Sequence, residues 1–226
     1  MGARHSPDRV DLAAIRKAAA LLEGIARRTP LAYSRALSDT VGGPVQFKCE
    51  NLQRTGSFKI RGAYVRMHAL SAEERAAGVV AASAGNHAQG VALAADLLGM
   101  HATVFMPVRA ALPKIAATRG YGADVELVGT ALQDTLAAAQ QYAKETGAHF
   151  IHPFDHPAVV AGQGTVGLEI CEQAPEARTI LVPTGGGGLA AGVAAAVAEL
   201  APAAKVIAVQ AAEMAAWPES LTAGHP

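Results

Sequence analysis

Three stretches of this sequence combine residue types that chemistry can use: "RTGSFKIRGAY" (Arg54 to Tyr64), "AASAGNHAQG" (Ala81 to Gly90) and "VPTGGGGLAAG" (Val182 to Gly192). In the first, Lys59 lies between Phe58 and Ile60 at the start of a helical pattern. A lysine is ordinarily a solvated surface charge. Apolar flanks and the positive end of a helix dipole both disfavour an ammonium, so this placement lowers the amine's pKa and frees a nucleophile that makes imines.

In the third stretch Gly185, Gly186, Gly187 and Gly188 stand between a buried strand and a helix that opens at Leu189. Such a turn offers unpaired N–H groups at the positive end of a dipole, and the missing side chains let a phosphate approach. The alternative is a tight turn with close helix packing. It is not a Walker loop, because no Gly-Lys-Ser/Thr follows, and it lacks the GxGxxG spacing of a dinucleotide fold.

The second stretch clusters Ser83, Ala84, Gly85, Asn86 and His87 at another strand-to-helix turn. Its N–H groups suit a carboxylate, and Asn86 offers a side-chain donor to something bound nearby; helix capping by Ser83 or Asn86 is the plainer alternative. His87 has no second ligand at zinc spacing and reads as a structural histidine or one that supports the site from behind it, rather than a metal ligand. An imine-forming lysine, an anion turn and an asparagine turn together describe a pyridoxal phosphate site.

These groups need a scaffold, and the hydrophobic pattern predicts one. A helix is expected from Pro7 to Glu23, after a Ser6 cap and before Gly24, then a strand in "PVQFKCE" and a helix from Ser57 to Leu70. Strands "GVVAAS", "ATVFMP", "ADVELV" and "AHFI" then alternate with helices at Asn86 to Leu98, Leu112 to Arg119 and Ala131 to Glu145. After "HPFDHP" follow a helix from Ala158 to Glu172, strand "TILVPT", a helix from Leu189 to Leu200 and strand "KVIAVQ". Short β-rich runs separated by helices imply parallel βαβ units with both sheet faces covered, an α/β fold. The His152 to Pro157 cluster is the best internal boundary and is compatible with two domains or one long sheet.

Composition limits the partners. The 226 residues are 51% hydrophobic and 17% charged, with 19 basic residues against 19 acidic ones. That balance gives no basic patch for nucleic acid or an anionic membrane and favours small-molecule chemistry. Cys49 and Cys171 form neither a disulfide framework nor a zinc motif, in keeping with a reducing cytoplasm. The N-terminal "MGARHSPDRV" has no apolar signal core, its match to a myristoylation pattern is short enough to be chance, and no run is long enough to span a membrane.

The stretches "KCENLQRTGSFKIRGA", "SAGNHAQG", "ATRGYGADVELVG", "HPFDHPAVVAGQGTVGLEI" and "VPTGGGGLAAG" resemble the threonine/serine dehydratase branch of the fold-type II pyridoxal phosphate enzymes. The resemblance implies two open, mostly parallel α/β domains: residues 1–75 and 151–226 in a large cofactor-binding domain, and 76–150 in a small one. It implies that Lys59 holds the cofactor as an imine and later shuttles the Cα proton, with Phe58 packed beside the ring. Asn86 would bond the ring hydroxyl, Gly185 to Leu189 would hold the phosphate, and the Ser83 to His87 turn would receive the substrate carboxylate. The implied reaction is deamination of L-threonine or L-serine by β-elimination, and homo-oligomers are in keeping with the family.

Three relatives in chemistry differ at identifiable positions. Ile60 and "AGNH" disagree with the cysteine-synthase and threonine-synthase patterns, and Ala84 stands where serine racemases carry a proton-shuttling serine. Gln210 and Ala216 stand where racemase-like relatives place metal-binding carboxylates, so no tight magnesium site is expected. The family's catalytic domain also continues beyond the position matching Pro226, including a Ser or Cys facing the pyridine nitrogen. A shortened sheet would expose an apolar face and a strand edge. The competing reading is a non-catalytic α/β fragment that retains phosphate affinity.

Overall fold

Residues 10–224 are described in the computed structural model of the protein. The first helix, α1 (Leu12–Leu21), starts where the Asp11 carboxylate accepts the Ala14 N–H at 2.8 Å. The expected start at Pro7 and the Ser6 cap both lie outside the described residues. Next come β1 (Leu31–Tyr33), α2 (Arg35–Val41) and β2 (Gln46–Lys48), with β1 and β2 paired antiparallel. Neither β1 nor α2 was expected from the sequence, because three residues are too few to show alternation and seven too few to show a helical stripe.

The lysine-bearing helix is α3 (Lys59–His68), followed by the short α4 (Ala72–Ala76). The regular alternation then appears as β3 (Val79–Ala82), α5 (Asn86–Leu98), β4 (Ala102–Met106), α6 (Leu112–Gly120), β5 (Asp124–Leu127), α7 (Leu132–Thr146) and β6 (His149–Phe150). Its four strands form one all-parallel sheet in the order β5-β4-β3-β6. Every residue of β3 and β4 is buried, which is why both read as continuous apolar runs. One face packs on α3, α5 and α6 through Ile60, Met67, Val91 and Ile115, and the other on α7 through Ala139.

The remaining elements are α8 (Pro157–Gln173), β7 (Thr179–Pro183), α9 (Gly188–Leu200), β8 (Lys205–Val209) and α10 (Trp217–Ala223). Strands β7 and β8 run parallel, in register from Thr179 with Lys205 to Pro183 with Val209. The expectation that both sheet faces are covered holds for the central sheet and fails here. Val182 is buried against α9, whereas Leu181 and Ile207 are 64% and 43% exposed on the other face.

Helices α3, α8 and α9 approach closely because glycines meet at their crossings. A Cβ on Gly162 would stand 2.7 Å from both the Arg61 carbonyl oxygen and the Gly62 Cα, and one on Gly164 would stand 3.0 Å from the Gly192 carbonyl oxygen. Beside the first crossing lies a buried ionic cluster. Arg61, 1% exposed, donates to Glu50 at 2.8 and 2.9 Å, to Glu169 at 2.6 Å, to Thr165 at 3.1 Å and to the Arg27 carbonyl at 3.1 Å. Lys48 pairs with the same Glu169 and donates to Gln173 at 2.8 Å. Burial works against the Arg61 charge, but Glu50 and Glu169 outweigh it and raise its pKa. The start of α3 is thereby tied to the segment after β2 and to α8.

Candidate active site

Lys59 occupies the first turn of α3, after a turn in which Gly56 takes φ +69° and the Ser57 hydroxyl accepts the Lys59 N–H at 3.4 Å. Its side chain runs inward, and Nζ donates to the Pro153 carbonyl oxygen at 2.7 Å while lying 5.4 Å from the centre of the Phe58 ring. Burial lowers the amine's pKa to about 8. The low-pKa lysine anticipated from Phe58 and Ile60 is present.

The four glycines form the turn from β7 into α9, with Gly187 at φ +94°. Packing explains three of them. A Cβ on Gly186 would collide with the Phe154 ring, one on Gly188 would lie 2.8 Å from the Phe154 carbonyl oxygen, and one on Gly187 would collide with Trp217. Gly185 faces open space. Among the described residues the N–H groups from Gly185 to Leu189 have no hydrogen-bond acceptor, while Thr184 N–H is taken by the Val209 carbonyl at 2.8 Å. Close packing and unpaired N–H groups at a helix N-terminus are therefore both found in this segment.

Lysine and turn face the same cavity, about 380 Å³ in volume, lined by Phe58, Lys59, Pro153, Phe154, Gln163 and the stretch from Pro183 to Ala190. The "HPFDHP" stretch thus builds one wall of the site as well as marking a boundary. Its signal was its place just after β6, since ligands of parallel sheets gather at the carboxyl ends of strands. The His152 imidazole supports that wall: Nδ1 accepts the Asp155 N–H at 2.8 Å, and burial lowers its pKa. A second cavity of about 780 Å³ between α1 and α8 has Arg16, Glu23 and Glu172 on its walls and neither the lysine nor the glycine turn.

The Ser83 to His87 turn does not line the 380 Å³ cavity; the helix it opens, α5, packs on the start of α3. Gly90 makes the approach possible, because a Cβ there would lie 3.1 Å from the Lys59 carbonyl carbon. Neither Ser83 nor Asn86 caps α5: its N-cap is Gly85, and the Ser83 hydroxyl accepts the Gly85 N–H at 3.1 Å. Asn86 is exposed, and its Oδ1 accepts Lys114 Nζ at 2.7 Å. Ala84 is exposed with only a methyl to offer. His87 is buried with Nε2 2.9 Å from the Ile151 carbonyl oxygen; burial and then the Lys59 charge bring its pKa down to about 3, so it is a neutral structural group.

The donor set fits pyridoxal phosphate. A weakly basic amine stands ready for the aldehyde, five free N–H groups for the phosphate, and the cavity volume lies in the range of small-ligand sites. Fold and site together define an α/β protein with a buried, weakly basic lysine opposite a glycine turn whose N–H groups are unpaired.

The comparisons with known proteins agree. The family model described as "Pyridoxal-phosphate dependent enzyme" matches residues 22–226. This chain belongs to that family. It is 51% identical over 216 residues to an L-threonine ammonia-lyase of Thermotoga maritima, covering 96% of this chain and 54% of that protein. An L-threonine ammonia-lyase of Geobacter sulfurreducens is 54% identical over 186 residues, 82% of this chain and 46% of the other. The chain spans about half the length of these relatives. Among solved structures, maize serine racemase superposes with TM-score 0.91 at 38% identity, covering 96% of this chain and 66% of that one. The processed threonine deaminase isoform 2 of Solanum lycopersicum gives 0.88 at 40%, covering 96% and 61%.

Proposed function

We propose that this chain is the lysine- and phosphate-binding portion of a threonine/serine ammonia-lyase, which converts L-threonine to 2-oxobutyrate and ammonia, or L-serine to pyruvate and ammonia. The observation that carries the reading is the Lys59 amine, with its pKa lowered to about 8, in one cavity with the free N–H groups of Gly185 to Leu189. In this reading Lys59 holds the cofactor aldehyde, and its amine, once released, takes the proton from the substrate Cα. Gly185 to Leu189 hold the phosphate, and Phe58 packs beside the ring. Asn86 donates to the ring hydroxyl, and the Ser83 to His87 turn receives the substrate carboxylate. Bound pyridoxal phosphate supplies the electron sink for the charge left at Cα. Water leaves from Cβ, and hydrolysis of the resulting enamine releases ammonia. Because the Ala84 methyl carries no proton, elimination is expected with little exchange of L- for D-serine.

The same reading divides the chain into a small domain, residues 76–150, and two parts of a large one, 1–75 and 151–226. It is supported by the confinement of the four-stranded sheet to Val79 through Phe150. A cytoplasmic location is supported by the two free cysteines, and a homo-oligomer by the exposed apolar face of β7 and β8. Among the described residues no helix is long and apolar enough to cross a membrane.

The test is to add pyridoxal phosphate to the purified chain, reduce with borohydride and locate the label by peptide mass. A label on Lys59 with 2-oxobutyrate formed from L-threonine supports the lyase. A label on Lys59 without turnover leaves a cofactor-binding fragment, and no label on Lys59 overturns the site.

A further inference from the structure

We infer that Trp217 is a positioning residue for the anion turn, an assignment that rests on the cofactor reading of that turn. Trp217 is the only tryptophan in the sequence. Its indole Nε1–H donates to the Gly185 carbonyl oxygen at 3.0 Å, and its ring packs on Gly187, where a Cβ would collide with it. Gln210, just after β8, reinforces the link: its Oε1 accepts the Trp217 backbone N–H at 3.1 Å, and its Nε2 donates to the same Gly185 oxygen at 3.4 Å. The side chain that stands where racemase-like relatives place a metal-binding carboxylate is thus engaged with the turn itself.

The direction of these bonds gives them their effect. Every peptide among the described residues is trans, so the carbonyl of Gly185 and the N–H of Gly186 point to opposite sides of one plane. Two donors holding that carbonyl toward α10 aim the Gly186 N–H the other way. Phe154 and the Lys59 cavity lie against the inner side of the turn, with Gly186 over the Phe154 ring. Without the indole, a glycine peptide with nothing crowding Gly185 is free to rotate and lose that aim. Helix α10 has no buried residue and its indole is half-buried on the turn, so occupancy of the turn and the indole's surroundings are coupled.

The experiment uses the 226-residue chain and its Trp217→Phe variant, which keeps a ring and loses the N–H. Each is titrated with pyridoxal phosphate, with inorganic phosphate and with pyridoxal, which carries the aldehyde and no phosphate. The variant is expected to bind pyridoxal phosphate and inorganic phosphate about three- to tenfold more weakly, the worth of one hydrogen bond. Its imine formation with pyridoxal is expected to match the parent. In the parent, saturating inorganic phosphate shifts the tryptophan emission. Equal phosphate affinity in both proteins overturns the assignment, as does a variant equally weakened toward pyridoxal, which marks general loss of structure. Should the variant not fold, an emission unchanged by phosphate in a parent that binds it also overturns the assignment. Failure of the parent itself to bind either phosphate compound sinks the cofactor reading instead.

Discussion

Lys59 Nζ donates a 2.7 Å hydrogen bond to the carbonyl oxygen of Pro153, 94 residues away in the chain. The bond holds the amine against the loop after β6 and within reach of the glycine turn. The carbonyl accepts from both the charged and the neutral amine, so burial decides the protonation state.

The Lys59 amine is therefore expected to react with pyridoxal along a pH profile with a midpoint near 8, well below its ordinary value of 10.5. The folded state binds fewer protons than the unfolded chain between those values, so folding stability rises as pH increases from about 8 to 10.5 and the penalty is full below 8. Lys59→Met removes the titrating group and should flatten that rise in urea unfolding. A reaction midpoint above 10 would show that the amine is solvated.

His87 gives a second pH signature. With a folded pKa of about 3 against 6.5 unfolded, it stays neutral in the native state, and stability is expected to fall as pH drops from 6.5 toward 3. Proton NMR of the imidazoles should show one ring that does not titrate above pH 4 or so. If every histidine titrates near 6.5, the buried placement of His87 is wrong.

Arg61→Met strands Glu50 and Glu169 in a buried cluster with Lys48 alone to balance them. We expect a loss of about 3–5 kcal/mol in unfolding free energy, the usual cost of breaking a buried ion pair from one side. Arg61→Lys should recover little of it, because one ammonium cannot reproduce donation to two carboxylates, a hydroxyl and a carbonyl. Denaturant melts of the two variants decide the point, and a near-neutral Arg61→Met would remove the cluster from the account of α3.

Gly162→Ala and Gly120→Ala separate packing from propensity. At Gly162 the added methyl meets the backbone of Arg61 and Gly62, so about 1–3 kcal/mol of stability and the placement of Lys59 should both suffer. At Gly120, the end of α6, a Cβ meets nothing within 4 Å, and alanine should add roughly 0.5–1 kcal/mol. Thermal melts in which both substitutions behave alike would contradict the close crossing of α3 and α8.

The alternating βα units are legible in the amino-acid pattern, because buried strands and amphipathic helices impose their periods on the chain. That pattern determined the chemical types at the site as well: an amine beside Phe58 and Ile60, glycines after a strand of alternating burial, Asn86 opening α5. Tertiary structure alone decided what those groups meet. Pro153, Phe154 and Trp217 reach the lysine and the turn from distant segments, and no local period encodes their approach. Helix crossings through Gly62, Gly162, Gly164 and Gly192 depend on backbones touching across separate elements, so the spacing of glycines in one helix does not name its neighbour. The Lys59 pKa likewise depends on how deeply the folded chain covers one amine, a sum over the surrounding segments that exists only once they have packed.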